Sequence, residues 1–222
     1  MNQSSASNPL GALTLDNVWY LQVLSEMHAR YGFRPLEPDM GEDAISHARK
    51  IYKKTDPIDP NEFPRRFWLD PERGGARGKI LPPAHDVADY LVVSREFRDV
   101  LEQFDTGKYL SFGVTLLKHD KTTPCDGEWF LVWIGNRKAG FIRELSDHFN
   151  VPPYEDTKWL SIPRYDAVDG DFVMDASVKV GPDIWKDPTL SSSLLMSDRL
   201  TTALREAGLL KRLKVLRCPV AE

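Results

Sequence analysis

A chain of 222 residues, 41% hydrophobic and 28% charged, can bury a sizeable core in one large domain or two small ones. A formal net charge of −4 argues against general nucleic-acid binding, which needs a basic excess. No apolar run approaches the ~20 residues that span a bilayer. The polar start MNQSSASNPLGALTLDN also lacks the charged-then-apolar order of a signal peptide, so the expected compartment is the cytoplasm.

Residues 1–14 are rich in Ser and Asn and read as a loose tail. Asn17–Phe33 opens on VWYLQVL, an alternating β-forming run, and continues into SEMHARYGF, so a strand leading into a short helix is expected. Glu42–Lys54 opens on acids and closes on lysines, as the helix dipole prefers, and predicts a helix. Asp56–Pro83 carries six prolines and three glycines, which predicts an extended connection without regular structure, pinned by Phe63, Phe67 and Trp68.

Leu91–Glu102 reads LVVSREFRDVLE, three apolar residues entering a Ser and then an amphipathic helix. Ser94 is placed to accept an unpaired amide of the first helical turn. Phe97, Val100, Leu101 and Phe104 share one helical face. Tyr109–Lys118 and Glu128–Asn136 are alternating runs separated by TTPCDG, which predicts a hairpin. Lys158–Pro163 and Asp171–Val180 read as further strands, with a turn at VDGD between them. Leu194–Arg205, LLMSDRLTTALR, repeats the earlier phrase, with Ser197 matching Ser94, Leu200 matching Phe97 and Leu204 matching Leu101. Gly208 stands where a helix C-cap glycine belongs, and a last strand follows around Leu213–Cys218.

Hairpins dominate the middle of the chain, and helices do not alternate regularly with strands. The expected class is therefore α+β: a mixed or mostly antiparallel sheet with β hairpins, packed by a few amphipathic helices. The chain divides into the 1–14 tail, a 15–84 region holding the long Pro/Gly-rich connection, and an 85–222 α+β domain, unless 15–222 form one continuous domain.

Little of this resembles catalytic chemistry. The neighbours His85–Asp86, His119–Asp120 and Asp147–His148 point to opposite faces in a strand and make no dyad by themselves. No GxSxG elbow is present, and both cap serines have structural work. GGARGK at 74–79 encloses one residue too few for a phosphate loop, and Ile80 stands where Ser or Thr is needed. The two cysteines, Cys125 and Cys218, lack metal-site spacing and are expected to be free thiols. No cofactor or metal is called for.

Two acidic clusters remain, Glu37, Asp39, Glu42 and Asp43 at the first helix, and Asp166, Asp169, Asp171 and Asp175 around a turn. Neither has the order of a calcium loop. Each reads either as a solvated face or as a docking surface for a cationic protein. Tyr165, Phe172 and Trp185 are the aromatic candidates for its anchors, or else core.

Asp183–Leu209, DIWKDPTLSSSLLMSDRLTTALREAGL, resembles the C-terminal stretch of a bacterial family of polymorphic-toxin immunity proteins, the eleventh named immunity class. The match is carried by Asp183, Ile184, Trp185, Ser197, Asp198, Leu200, Ala207 and Gly208. Asp89–Glu102 resembles the family's earlier block, with Ser94, Arg95 and Leu101 in place. The resemblance spans about residues 85–218. It implies an inhibitor and not an enzyme: a protein that binds a cognate toxin, such as one delivered by type VI secretion, and occludes its active site. A nuclease toxin would present a basic face, which an acidic chain suits. The alternative is a hydrolase or small-ligand-binding domain using residues 56–83 as a lid.

Overall fold

The computed structural model describes residues 17–23, 32–36, 40–73, 80–157 and 160–221. The first strand, β1 (Val18–Leu21), alternates as its sequence predicts. Val18 and Tyr20 face one core, and Trp19 and Leu21 face another. β2 (Phe33–Pro35) precedes α1 (Glu42–Tyr52), which buries Ala48 and Tyr52. The helix expected after β1 falls on residues outside those described.

The Pro/Gly-rich connection is more ordered than its composition suggests. β3 (Arg66–Leu69) lies inside it, paired antiparallel to β2 and parallel to β6 (Tyr109–Leu117). Phe63 and Phe67 are fully buried, so apolar burial overrides the flanking prolines. A hairpin follows, β4 (Ala84–Val87) and β5 (Tyr90–Ser94). Its two turn residues, Ala88 and Asp89, both have positive φ, the geometry that matches strand twist in a two-residue loop. β5 enters α2 (Arg95–Leu101), and β6 and β7 (Trp129–Ile134) form the expected hairpin around TTPCDG.

The chain then makes a long excursion through β8 (Phe149–Asn150), β9 (Ile162–Pro163) and β10 (Met174–Asp175). Only 174–175 of the strand expected at 171–180 forms. The Asp175 side chain accepts the Ser177 amide and starts a short 3₁₀ turn instead. β11 (Ile184–Trp185), β12 (Leu195–Ser197), α3 (Asp198–Glu206), β13 (Val215–Cys218) and β14 (Val220–Ala221) complete the fold. Gly208, at φ +75, closes α3: its amide bonds Arg205 O and the next amide, of Leu209, bonds Leu204 O.

The fold is α+β and mostly sheet. One sheet runs β2-β3-β6-β7-β5-β4, the other β11-β12-β1-β13, and β10 and β14 pair in parallel beside them. The first core lies between these sheets: Leu91, Val93, Val132 and Ile134 face Leu21, Ile184 and Met196 across α2 and α3. A second, aromatic core packs α1 and Phe63 on the outer face of the larger sheet. A third packs the 141–180 excursion on the outer face of the smaller one.

The doubled phrase marks a duplicated topology. The quartet β4-β5-β7-β6 and the quartet β11-β12-β1-β13 have the same order, and all their pairings are antiparallel. In each, the second strand runs through a Ser into a helix that leads to the fourth strand. Ser94 has φ −68 and ψ 165 and accepts the Phe97 amide at 3.3 Å. Ser197 has φ −67 and ψ 161 and accepts the Leu200 amide at 3.3 Å. The Ser94 amide bonds Pro83 O and the Ser197 amide bonds Asp183 O, just before the matching edge strands.

Candidate functional site

Asp183, Ser197 and Asp198, three of the residues that carry the resemblance, form a clasp. Asp183 is 2% exposed and receives Arg199 Nε at 2.6 Å, Arg199 Nη2 at 2.7 Å, the Ser197 hydroxyl at 2.6 Å and the Asp105 amide at 3.0 Å. Burial pushes the Asp183 carboxyl up, but the Arg199 and Ser197 hydrogen bonds outweigh it and hold the acid below its ordinary range. Asp198 accepts the Trp19 indole N–H at 2.7 Å. Ile184, Trp185 and Leu200 are core. These contacts join β11, β1 and the start of α3, and they are structural.

The acidic positions are scattered between roles. Glu42 and Asp43 are exposed in the first turn of α1, and Glu37 and Asp39 lie outside the described residues. Asp166 is exposed and paired with Arg164 at 2.6 Å. Asp169 accepts the Arg217 amide, Asp171 accepts the Val168 amide and meets His148 at 3.1 Å, and Asp175 caps Ser177. Of the expected aromatic anchors, Phe172 and Trp185 are buried core, because each lies inside the third cluster, whereas Tyr165 is 79% exposed.

The same excursion carries the protein's exposed apolar surface. Of eight large apolar side chains exposed among the described residues, seven lie between Leu145 and Val180, including Tyr154, Ile162, Tyr165 and Val168. The β8–β9 pairing and the Arg164 amide bond to His148 O fix the backbone at the base of this stretch.

Sequence reasoning missed a cleft of about 360 Å³ between the end of α1, the Arg137–Lys186 bridge and the 191–193 loop. Arg137 and Lys186 are neighbours in that bridge, and Lys186 Nζ lies 4.9 Å from the centre of the Tyr52 ring. The Tyr52 hydroxyl donates to Val132 O at 2.7 Å and accepts the Leu91 amide at 2.9 Å, so this wall is fixed. Burial, helped by Arg137 and Lys53, lowers the Lys186 ammonium to about 7. No signal in the sequence joins Tyr52, Arg137 and Lys186. They come from three separate segments and meet only through the fold.

Among the described residues the groups needed for hydrolysis do not converge. His85 is fully buried between Trp129 and Phe33, and burial lowers it to about 3. Cys125 is half-buried beside the second core, and burial raises its thiol, opposite to nucleophile activation. Both cysteines are free. GGARGK lies outside the described residues, while the rest of the supposed lid, with β3 in the sheet, is anchored. Among the described residues no group of three or more His, Cys, Asp or Glu could hold a metal ion, and no helix is long and apolar enough to cross a membrane. Comparison with known proteins gives no matching family model and no matching curated sequence.

Proposed function

We propose that this chain is an immunity protein: it binds a cognate toxin and occludes the toxin's active site, using the 145–180 excursion as its docking face. One observation supports this most. The exposed apolar side chains concentrate in that stretch, interleaved with Asp166, Asp169 and Asp175, while the rest of the described surface has only Ile80 of that kind. Apolar anchors ringed by charge are what a specific interface needs. The acids suit a basic partner, as a toxin acting on nucleic acid would be.

The test is co-expression with a toxin encoded beside this chain's gene, scored by growth rescue and by a stable complex. Tyr165→Ala with Val168→Asp is expected to weaken the complex at least tenfold, and Asp166→Lys to slow association. Asp169 and Asp171 are poor test positions, because they hold backbone amides in the loop. Full rescue by both variants, or no complex with the wild type, would refute the proposal.

A further inference from the structure

We propose that the cleft between Tyr52, Arg137, Lys186 and the 191–193 loop binds a small phosphomonoester, with its phosphate on Arg137 and Lys186 and its hydroxyl-bearing part toward Asp86 and Asp89. This stands apart from the toxin-binding reading, since one chain can carry both a ligand cleft and a protein-binding face.

Arg137 is held in place without being saturated. A guanidinium has five N–H donors. Nη1 donates to Ile134 O and Asn136 O, each at 3.0 Å, and Nη2 donates once to Lys53 O at 3.0 Å. Nε–H and one Nη2–H are left, on neighbouring nitrogens, without an acceptor among the described residues. All three acceptors used are neutral carbonyls, so the positive charge is held in place but not neutralised.

Lys186 is in the same condition. Its side chain meets the Tyr52 ring face and makes no hydrogen bond or ion pair among the described residues. Lys53 lines the same cleft and adds to the repulsion. Asp86, Asp89 and Asp187 also line the cleft, but none of the three cations forms an ion pair with them among the described residues, and unpaired cations gathered in this way repel each other and are relieved by an anion.

Three features favour a phosphate over a carboxylate. Two cations from separate segments, met side by side in the Arg137–Lys186 bridge, match a dianion better than a monoanion. The Ser191 and Ser192 hydroxyls and the Ser192 amide have no partner among the described residues, so neutral donors face a tetrahedral group from a further direction. The cleft is also far larger than one oxyanion requires, given that a water molecule takes ~30 Å³. Its remaining lining includes the apolar Leu160 and Pro188, which would cover a ring, and Asp86 and Asp89, which would accept hydroxyl hydrogens. A sugar phosphate or a nucleoside monophosphate has this combination.

The test is calorimetric titration of the full chain with ribose 5-phosphate, AMP, inorganic phosphate, ribose and succinate. Saturable binding of at least one phosphate ester is expected, at least tenfold tighter than inorganic phosphate or succinate. Lys186→Met is expected to weaken it at least tenfold, and Arg137→Lys, which keeps charge but loses the fork, to weaken it too. In the wild type, the bound ester and not ribose should protect Lys186 from an amine-acylating reagent, read by mass spectrometry, so the result does not depend on a variant folding. The proposal is overturned if no ester binds below ~10 mM, if succinate or inorganic phosphate binds as tightly, or if Lys186 acylates equally fast with ester present.

Discussion

Arg199 lays Nε and Nη2 along the two carboxylate oxygens of Asp183, at 2.6 and 2.7 Å, and so ties the edge strand β11 to the first turn of α3. The arrangement is asymmetric, with Asp183 2% exposed and the Arg199 side chain 67% exposed. Removing the acid therefore hurts more than removing the base. Asp183→Ala leaves the Ser197 hydroxyl and the Asp105 amide without their acceptor and should cost roughly 2–4 kcal/mol. Arg199→Ala leaves those two donors on the carboxylate and should cost less. Urea midpoints of the two variants measure the difference, and equal losses would show that the ion pair, not the buried acceptor, dominates.

The two cap serines give a paired prediction. Ser94 and Ser197 share dihedral angles and cap distance, but Ser197 also donates to Asp183 at 2.6 Å. Ser94→Ala should cost about 1 kcal/mol, the usual value of an N-cap. Ser197→Ala should cost about 2 kcal/mol, since it removes the cap and one bond to a buried carboxylate. Denaturant titration of both variants checks this order. Equal costs would mean that the bond to Asp183 adds nothing net.

These serines also show what the sequence could reveal. Capping and apolar periodicity are local, so both strand–Ser–helix junctions, the β6–β7 hairpin and the α3 C-cap were legible in it. β3 was not, because the prolines around Arg66–Leu69 outweigh local β preference, and only burial of Phe67 against Tyr90, with centroids 6.0 Å apart, overrides them. Of the duplicated topology only the doubled phrase was legible, because the second quartet recruits β1 from the far end of the chain. The Lys186 cleft was hidden for the same reason: it draws on α1, the end of β7 and the loop after β11.

His85 predicts acid sensitivity. It is fully buried in aromatic surroundings, its Nδ1 is 3.3 Å from Pro82 O, and burial lowers it from 6.5 to about 3. Between these values the unfolded chain is protonated at this site and the folded chain is not, so stability falls as pH drops from about 6.5 toward 3. The full effect is on the order of 5 kcal/mol. His85→Gln should flatten this slope, seen as a smaller change in urea midpoint between pH 6.5 and pH 4. An unchanged slope would assign acid loss to the carboxylates.

Lys186 predicts a trend of the same sign, on the alkaline side. Its ordinary value of 10.5 falls to about 7, chiefly by burial and then by the charges of Arg137 and Lys53, with Tyr52, Asp86 and Asp89 lining the same cleft. Below pH 7 the folded protein must hold a charged ammonium in a site that disfavours it. Above pH 7 the folded state releases that proton while the unfolded chain keeps it up to its higher pKa. The unfolded state then binds more protons, so this residue makes stability rise with pH. The clean window is pH 7 to 9, because beyond it the buried thiol of Cys218, which burial raises from 9.0, acts in the opposite direction. Lys186→Met should be more stable than the wild type at pH 6 and should lose the rise between pH 7 and 9. Denaturant midpoints at pH 6, 7, 8 and 9 decide it. A Lys186→Met curve parallel to wild type would mean that the ammonium keeps its ordinary pKa and that the cleft is wetter than its lining implies.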